Sequence, residues 1–452
     1  MDGQERPLRQ WPAYAEKAVI YQIFLRSFTL EGTLKAAEKM LPHLADLGVD
    51  IIYLCPPVVS DDDMDKSHWS ERQRKSGLDN PKNPYRIKDY YHVDPEYGSD
   101  RDLREFVAAA HKHGLKTILD LVYYHCSANA VFLKEHPDFV KLNEDGSIRF
   151  GTWHFPELNY NNPALREYLW QNMEYFIRDF DFDGFRCDVA DNVPLDFWEE
   201  GRRRIEGLKP GGIFMLAESS GRREEQYEAF DLSYAFQSTY KTLEVMEGKI
   251  SLKEMRRAMQ EERERMNGAR VIRSFDSHDI ANDACEKRIE RMVPLELTNV
   301  ALAMDFALDG IPFLYNGQEI ADGRRHSLWA NREYGKNLAI GWEEAVTERG
   351  KARMAFVKKL IEVRRALAVL TRGSFDWLEN DRDEHVLSFV RRWEWQIMLC
   401  AFNYSNAPQM VRFAPGLSLG GVFRLCIGAD VQGDVLRLAP YGVAWLECDF
   451  PA

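Results

Sequence analysis

Residues 181–192 read Asp-Phe-Asp-Gly-Phe-Arg-Cys-Asp-Val-Ala-Asp-Asn, and their charges fall where a buried strand would be apolar. If Gly184 to Val189 is extended, the two-residue period of a strand sends Arg186 and Asp188 to one face and Cys187 to the other. A guanidinium beside a carboxylate on a buried strand costs desolvation that packing alone does not favour, so the pair points to a site. The alternative is a structural ion pair at a strand end, and the rest of the chain decides between the two.

Outward from this stretch one phrase recurs: a helix-period segment, a glycine or turn, then a short apolar run ending in polar residues. Toward the N-terminus lie Leu115 to Val122 after Gly114, Ile51 to Cys55 after Gly48, and Val19 to Leu25. Toward the C-terminus lie Ile213 to Glu218 after Gly212, a weaker run near Phe230 to Phe236, Val271 to Phe275, and Ile311 to Tyr315 after Gly310. Between them, Ser99 can cap a helix with Asp102 three residues on, and Leu103, Phe106, Val107 and Ala110 share one face. Asn162 and Pro163 start another helix, striped by Leu165, Leu169, Met173, Phe176 and Ile177. Eight short strands alternating with helices predict an α/β fold, the (β/α)8 TIM barrel, whose strand ends converge on one mouth. There Asp120, His125, Asp188, Glu218, His278 and Asp279 would meet. A doubly wound sheet would carry a glycine-rich phosphate loop after the first strand, and Phe24 to Phe28 has none.

The barrel is expected over residues 15–370, with a short inserted subdomain at 126–160 after the third strand. A last amphipathic helix with Phe356, Leu360, Val363 and Leu367 closes it, and the alternating runs of 371–452 predict a C-terminal antiparallel β-sandwich. The connection from Val58 to Asn83 is acidic at Asp61, Asp62, Asp63 and Asp65. Counted as an EF-hand from Asp61 it has Lys66 in place of glycine and Arg72 in place of glutamate, so a solvated or lid loop is predicted rather than a metal site. In the insertion, Trp153, His154 and Phe155 are expected to form one wall of the cleft.

Composition narrows the class. With 452 residues, 45% hydrophobic and 29% charged, the chain reads as a globular protein of two or three domains. A net charge of −13 without a basic run argues against a nucleic-acid partner. No segment approaches the ~18 apolar residues of a membrane span, and the start Met-Asp-Gly-Gln-Glu-Arg-Pro has no apolar core of a signal peptide, so a cytoplasmic place is expected. Seven cysteines, at 55, 126, 187, 285, 400, 426 and 448, are odd in number and show no Cys-x-x-Cys spacing, which predicts reduced thiols rather than a disulfide framework or zinc site.

Four segments, Asp-Leu-Val-Tyr-Tyr-His (120–125), Gly-Phe-Arg-Cys-Asp-Val-Ala (184–190), Ala-Glu (217–218) and Phe-Asp-Ser-His-Asp (275–279), resemble the four motif regions of the α-amylase family, glycoside hydrolase family 13. Phe-Pro-Glu-Leu-Asn (155–159) is similar to that family's fifth motif, Asn-Pro-Tyr (83–85) to its tyrosine loop, and residues 310–319 to its eighth strand. All stand in the family's order, at predicted strand ends or adjoining loops.

The resemblance implies that Asp188 is the nucleophile, Glu218 the general acid and base, and Asp279 the third carboxylate, with Tyr85, Asp120, His125, Arg186 and His278 binding substrate. A retaining glycosidase needs such a set, one carboxylate to attack the anomeric carbon and a protonated one to help the leaving oxygen depart. Arg186 is expected to hold Asp188 ionised, and Glu218, with no arginine in its own strand, to have a raised pKa. No cofactor is expected: Tyr124 stands where many α-amylases have the Asn of their structural calcium site, and a phenol is a poor ligand for that ion. Asp191-Asn192 replaces the Lys-His pair of many endo-acting amylases, and Val189, Ala190 and Ser277 look more like the neopullulanase and cyclomaltodextrinase branch. Three readings follow: a hydrolase of soluble α-glucans or malto-oligosaccharides, mainly at α-1,4 bonds; a transglycosylase or isomerase with the same site; and a catalytically dead barrel that binds a partner. The oligomeric state stays open.

Overall fold

The structure, a computed structural model, describes residues 6–283, 288–414 and 417–448. Eight parallel strands form its first sheet: β1 (Ile20–Ile23), β2 (Ile51–Leu54), β3 (Lys116–Leu121), β4 (Gly184–Cys187), β5 (Phe214–Ala217), β6 (Leu232–Ser233), β7 (Ile272–Arg273) and β8 (Ile311–Tyr315). They lie in the order β6-β5-β4-β3-β2-β1-β8-β7, and a parallel bridge between Ser233 and Val271 joins the two ends into a closed barrel. Nearly every strand residue is buried, because helices cover the outside and side chains fill the inside.

The longer helices are α1 (Leu41–Leu47), α2 (Asp100–Lys112), α3 (Pro163–Phe180), α4 (Leu195–Glu206), α5 (Phe236–Met246), α6 (Leu252–Met266), α7 (Leu295–Ala307) and α8 (Glu348–Ala366). Their ends follow local chemistry. Ser99 and Asp102 make the expected capping box at α2, and Asn162 accepts from the amides of Ala164 and Leu165 ahead of a first-turn proline in α3. Inside the barrel, Ile20, Ile51, Ile118, Phe214, Leu216 and Phe313 form one core, which Ala15 and Ala18 of the segment before β1 join.

Below β3 and β4 a buried carboxylate fixes the strand starts. Asp183 accepts from the Thr117 amide at 2.9 Å, His111 Nε2 at 2.7 Å and Lys116 Nζ at 3.0 Å. Burial works to raise its pKa, but the bonds from His111 and Thr117 and the charges of His111 and Lys209 outweigh it and bring it from 3.8 down to about 2. A carboxyl lowered in the folded state stabilises at pH above its unfolded pKa, and that stability is lost as pH falls through the folded value. Asp183→Asn is therefore expected to cost about 2 kcal/mol at pH 7. The gap from wild type should close between pH 4 and pH 2, which denaturant unfolding at a series of pH values reads directly. A gap that stays constant with pH would count against this account.

The C-terminal part is antiparallel: β9 (Ser374–Trp377), β10 (Val386–Trp393), β11 (Gln396–Asn403), β12 (Gln409–Val411), β13 (Gly421–Gln432) and β14 (Val435–Cys448). Hydrogen bonds join all six into one sheet, because β14 is long enough to pair β11 through residues 443–448, β12 through 436–438, and β13 along its other edge. One face, with Phe389, Met398, Phe402 and Trp445, shares the main core with Val300 and Met304 of α7. The other wraps a core of its own from Val390, Leu399, Val411, Leu436, Leu438 and Leu446.

Among the described residues no helix is long and apolar enough to cross a membrane. Six cysteines are free thiols, and Cys285 lies outside the described residues. In the acidic connection 58–83, residues 62 and 64–67 are exposed, as a solvated loop requires, and among the aspartates Asp61 is the exception. Asp61 is buried, accepting from the Ser127 hydroxyl and from Asn129 Nδ2 at 3.0 Å, while Asp63 and Asp65 fold back onto the amides two residues on. At Asp61 neutral donors from the insertion, with the Arg86 guanidinium 3.9 Å away, take the place of water, while Asp62 pairs with Lys88 at 2.7 Å.

Candidate active site

Strand register brings the charged residues together. Asp120 of β3 lies beside Arg186 of β4, and Cys187 pairs Ala217 of β5, so Asp188 and Glu218 come next to each other just past their strand ends. Two features of β4 make this possible. Gly184 has φ +153° and approaches β5 so closely that a Cβ would sit 1.8 Å from the Phe214 carbonyl oxygen. The strand stops at Cys187, and Val189 takes a left-handed conformation (φ 44°, ψ 46°), which costs strain for a β-branched residue. That turn aims the Val189 amide at Glu218 Oε2, 2.8 Å away.

Arg186 is the hub. Its side chain is 0% exposed and its guanidinium lies between the Tyr53 and Tyr234 rings, 5.7 and 5.8 Å from their centres. Nη1 donates to Asp120 Oδ1 at 2.7 Å and to Asp188 Oδ1 at 2.8 Å, and Nη2 lies 2.8 Å from Glu218 Oε1. Glu218 has no arginine in its own strand, as expected, and the adjacent strand β4 supplies this one. Tyr53 and Tyr85 hydroxyls donate to Asp120 Oδ2 at 2.6 and 2.9 Å, so both carboxylate oxygens of Asp120 are bonded.

The electrostatics of Asp188 also differ from expectation. Burial, then the charge of Glu218, raise its pKa well above the usual carboxylate range, and Arg186 does not overcome them. Glu218 is raised as well, mainly by burial, with Arg186 opposing and Asp279 adding to the rise. One guanidinium shared among Asp120, Asp188 and Glu218 cannot neutralise all three, so the Asp188/Glu218 pair holds a proton more tightly than free carboxylates do.

Asp279 and His278 begin a short helix after β7. Gln22 fixes the histidine from both sides, accepting from its amide at 3.0 Å and donating to Nδ1 at 2.6 Å. That assigns the proton to Nε2, which faces the Tyr85 hydroxyl at 2.7 Å and Asp279 Oδ2 at 3.3 Å. Burial keeps His278 below its ordinary pKa, hence neutral. At Asp279 burial works upward, but His278 and Arg72 outweigh it and hold the carboxyl below its usual range; with the ring neutral, the permanent cation of the two is Arg72, whose Nη1 is 3.2 Å from Oδ1. His125 is buried against Phe155 and Trp153, and burial brings its pKa down to about 3.

These groups line one cavity of 220 Å³ with Ser70, Arg72, Asn83, Tyr85, Trp153, Phe155, Tyr240, Leu328 and Trp329. Asp188, Glu218, Asp279, Tyr85, His125 and His278 all reach it, and Asp120 and Arg186 lie beneath. Of the expected wall, Trp153 and Phe155 are there, but His154 is exposed, turned away by its own left-handed backbone (φ 62°). Sequence reasoning missed Ser70, Arg72, Tyr240, Leu328 and Trp329. Ser70, Arg72, Leu328 and Trp329 sit on connections with no strand period, and Tyr240 sits in α5, a helix whose pattern does not mark it.

At the foot of the insertion the Tyr124 hydroxyl donates to Glu157 Oε1 at 2.8 Å and Lys141 Nζ lies 3.0 Å from Oε2. A phenol and an ammonium each hold one oxygen of this carboxylate, the ammonium offsets its charge, and the described residues contain no cluster of three His, Cys, Asp or Glu able to hold a metal. The groups beside Tyr124 do not fit a divalent cation.

Comparison with known proteins places the molecule among relatives. The family model "Alpha amylase, catalytic domain" matches residues 13–145 and 147–357. Alpha-amylase 2 of Dictyoglomus thermophilum is 24% identical, over 95% of this chain and 75% of its own length. The intracellular maltogenic amylase of Bacillus subtilis is 28% identical, over 84% of this chain and 63% of its own length. Among solved structures, a noncanonic maltogenic α-amylase from Thermotoga neapolitana shares the fold with a TM-score of 0.76 at 24% identity, covering 96% of this chain and 97% of that one.

Proposed function

Because the chain belongs to the α-amylase family of glycoside hydrolases, we propose that it hydrolyses α-glucosidic bonds, mainly α-1,4, in soluble α-glucans or malto-oligosaccharides by double displacement. The observation that carries this reading is the gathering of the Asp188 and Glu218 carboxyls on one buried guanidinium at the floor of the cavity. In this reading Asp188 attacks the anomeric carbon while Glu218 gives its proton to the departing oxygen, forming a covalent glycosyl-enzyme. Glu218, now a base, then takes a proton from the water that breaks the ester. The pair's raised proton affinity supplies the proton for the first step, and Arg186 receives the Asp188 carboxylate again when the ester opens.

The surrounding groups have matching tasks. His278 holds the Tyr85 hydroxyl through its Nε2 proton, Asp279 is an ionised acceptor for sugar hydroxyls, and the Tyr85 ring is a stacking surface at the cavity wall. Asp120 acts through Arg186, fixing the guanidinium that in turn fixes Asp188. The intracellular relative supports a cytoplasmic place.

Hydrolysis of maltose, maltotriose, panose, isomaltose, pullulan, starch and cyclodextrins, followed by chromatography, tests the reading. Short malto-oligosaccharides are expected to exceed granular starch in kcat/KM per bond, and a preference for insoluble starch would contradict it. We further propose that the enzyme needs no calcium, because Lys141 already offsets the charge of Glu157 beside Tyr124. Chelator is expected to move the melting temperature by less than about 1 °C and to leave the rate unchanged. A fall of several degrees that calcium reverses would count against this.

A further inference from the structure

The connections at the mouth of the barrel are unequal. Those after β2, β3 and β8 span 55–99, 122–162 and 316–347, and these strands lie close together in the sheet order β3-β2-β1-β8. On the opposite side, the connections after β4 and β6 span only 188–194 and 234–235, and that between β5 and β6 spans 218–231. The mouth is therefore walled around β3-β2-β1-β8 and low at β4 and β6.

The wall is stitched into one body. Asn80 donates to the Trp329 carbonyl at 3.0 Å, and Arg26 Nη1 ties the Lys82 and Leu328 carbonyls at 3.0 and 2.8 Å, joining the connection after β2 to that after β8. Toward the insertion, the Ser127 and Val131 amides donate to the Ile87 and Lys88 carbonyls at 2.8 and 2.9 Å, and the His68 and Phe150 rings stack at 5.7 Å. At the inner edge of this wall the short helix Glu71–Lys75 carries Arg72 into the cavity, against Asp279.

The reading of Glu218 as the acid, on which this inference rests, orients a substrate here. Glu218 and Val189 lie on the low side of the mouth, next to Tyr240, so the leaving part of the chain departs there. The sugar that becomes attached to Asp188 lies on the side of Tyr85, His278, Asp279 and Arg72, where the wall stands. The cavity of 220 Å³ is smaller than the ~300–1,000 Å³ of sites for drug-sized ligands, and so suits one sugar ring better than several. We infer that Arg72 closes the glycone side of the pocket behind a single sugar, so that the enzyme removes monosaccharides one at a time from the non-reducing ends of α-glucan chains.

The test uses maltoheptaose and the same oligosaccharide blocked at its non-reducing end by a 4,6-O-ethylidene group, with products followed from the first per cent of reaction. Wild type is expected to release glucose as the first small product and to cleave the blocked chain about 100-fold more slowly or worse. In Arg72→Ala, checked for an unchanged melting temperature, maltose and longer fragments should appear early and the discrimination should fall about 10-fold. A defect that only loosened the fold would lower the rate without changing product size. Maltose as the first product of wild type, or cleavage of the blocked chain at a rate near that of the free one, would overturn the inference and leave the hydrolase reading standing. An Arg72→Ala variant that still releases only glucose would remove Arg72 from it. Inactivity of wild type on every α-glucan and on p-nitrophenyl α-glucoside would overturn the hydrolase reading, and this inference with it.

Discussion

Glu218→Gln is expected to lose at least about 100-fold in kcat on maltotriose, whose leaving oxygen needs a proton, while keeping most of its rate on α-glucosyl fluoride, whose leaving group needs little help. Asp188→Asn is expected to lose both substrates, by about 10⁴-fold or more, because no glycosyl ester can form. The contrast between substrates is the informative result, since any damage to the cavity would lower both together. The pH profile adds a readout. Burial raises the proton affinity of the Asp188/Glu218 pair, and the active form carries that proton, so wild-type activity should fall as pH rises through the pair's raised pKa. Glu218→Gln has no proton to lose there, and its fluoride rate should lack this alkaline fall. If the fall persisted in Glu218→Gln, the proton would belong to another group. Proton NMR early in the wild-type reaction should show the α-anomer; the β-anomer first would make Asp188 a base for water and end the double-displacement reading.

Arg186→Leu is expected to be the most damaging single change to both fold and rate. It leaves Asp120, Asp188 and Glu218 without their shared cation in a place where Asp120 is 3% and Asp188 5% exposed. Breaking one buried pair from one side costs about 3–5 kcal/mol, and here three carboxylates lose the same partner. Protonation can relieve the strain, so the loss measured by denaturant unfolding should shrink as pH is lowered from 8 toward 5 and the carboxyls take up protons. An equal loss at both pH values would mean that the lost aromatic packing against Tyr53 and Tyr234, rather than charge, accounts for the damage. Activity should not return at the lower pH, because a neutral Asp188 is no nucleophile.

The charged strand ends were legible because a barrel strand is only about four residues long and its polar residues have nowhere to go but the mouth. Asp188, Glu218, Asp279, His125 and His278 each follow an apolar run, and the structure brings all five to one cavity. What register contributes was not legible. The contact between Arg186 and Glu218 depends on β4 and β5 lying side by side in phase, and no spacing within 184–218 states that phase. Connections were read least well. Asp61 looked solvated because its neighbours are acidic, yet its partners Ser127 and Asn129 lie in another connection. Arg72 meets Asp279 across 207 positions of sequence, from a helix of one turn that carries no periodic signal. The run near Phe230 was weak in the sequence for a physical reason too, and the strand after Val271 is as short. Each is only two residues in the barrel, enough to close the ring but too short for a pattern.

The left-handed Val189 has a consequence for how this sequence can change. A glycine or asparagine there would relax a conformation that costs a β-branched residue about 1–3 kcal/mol, so selection for resistance to heat favours the replacement. The same replacement frees the turn that aims the residue's amide at Glu218, so selection for turnover opposes it. Position 189 is thus a place where stability and the aim of the Glu218 contact pull in opposite directions.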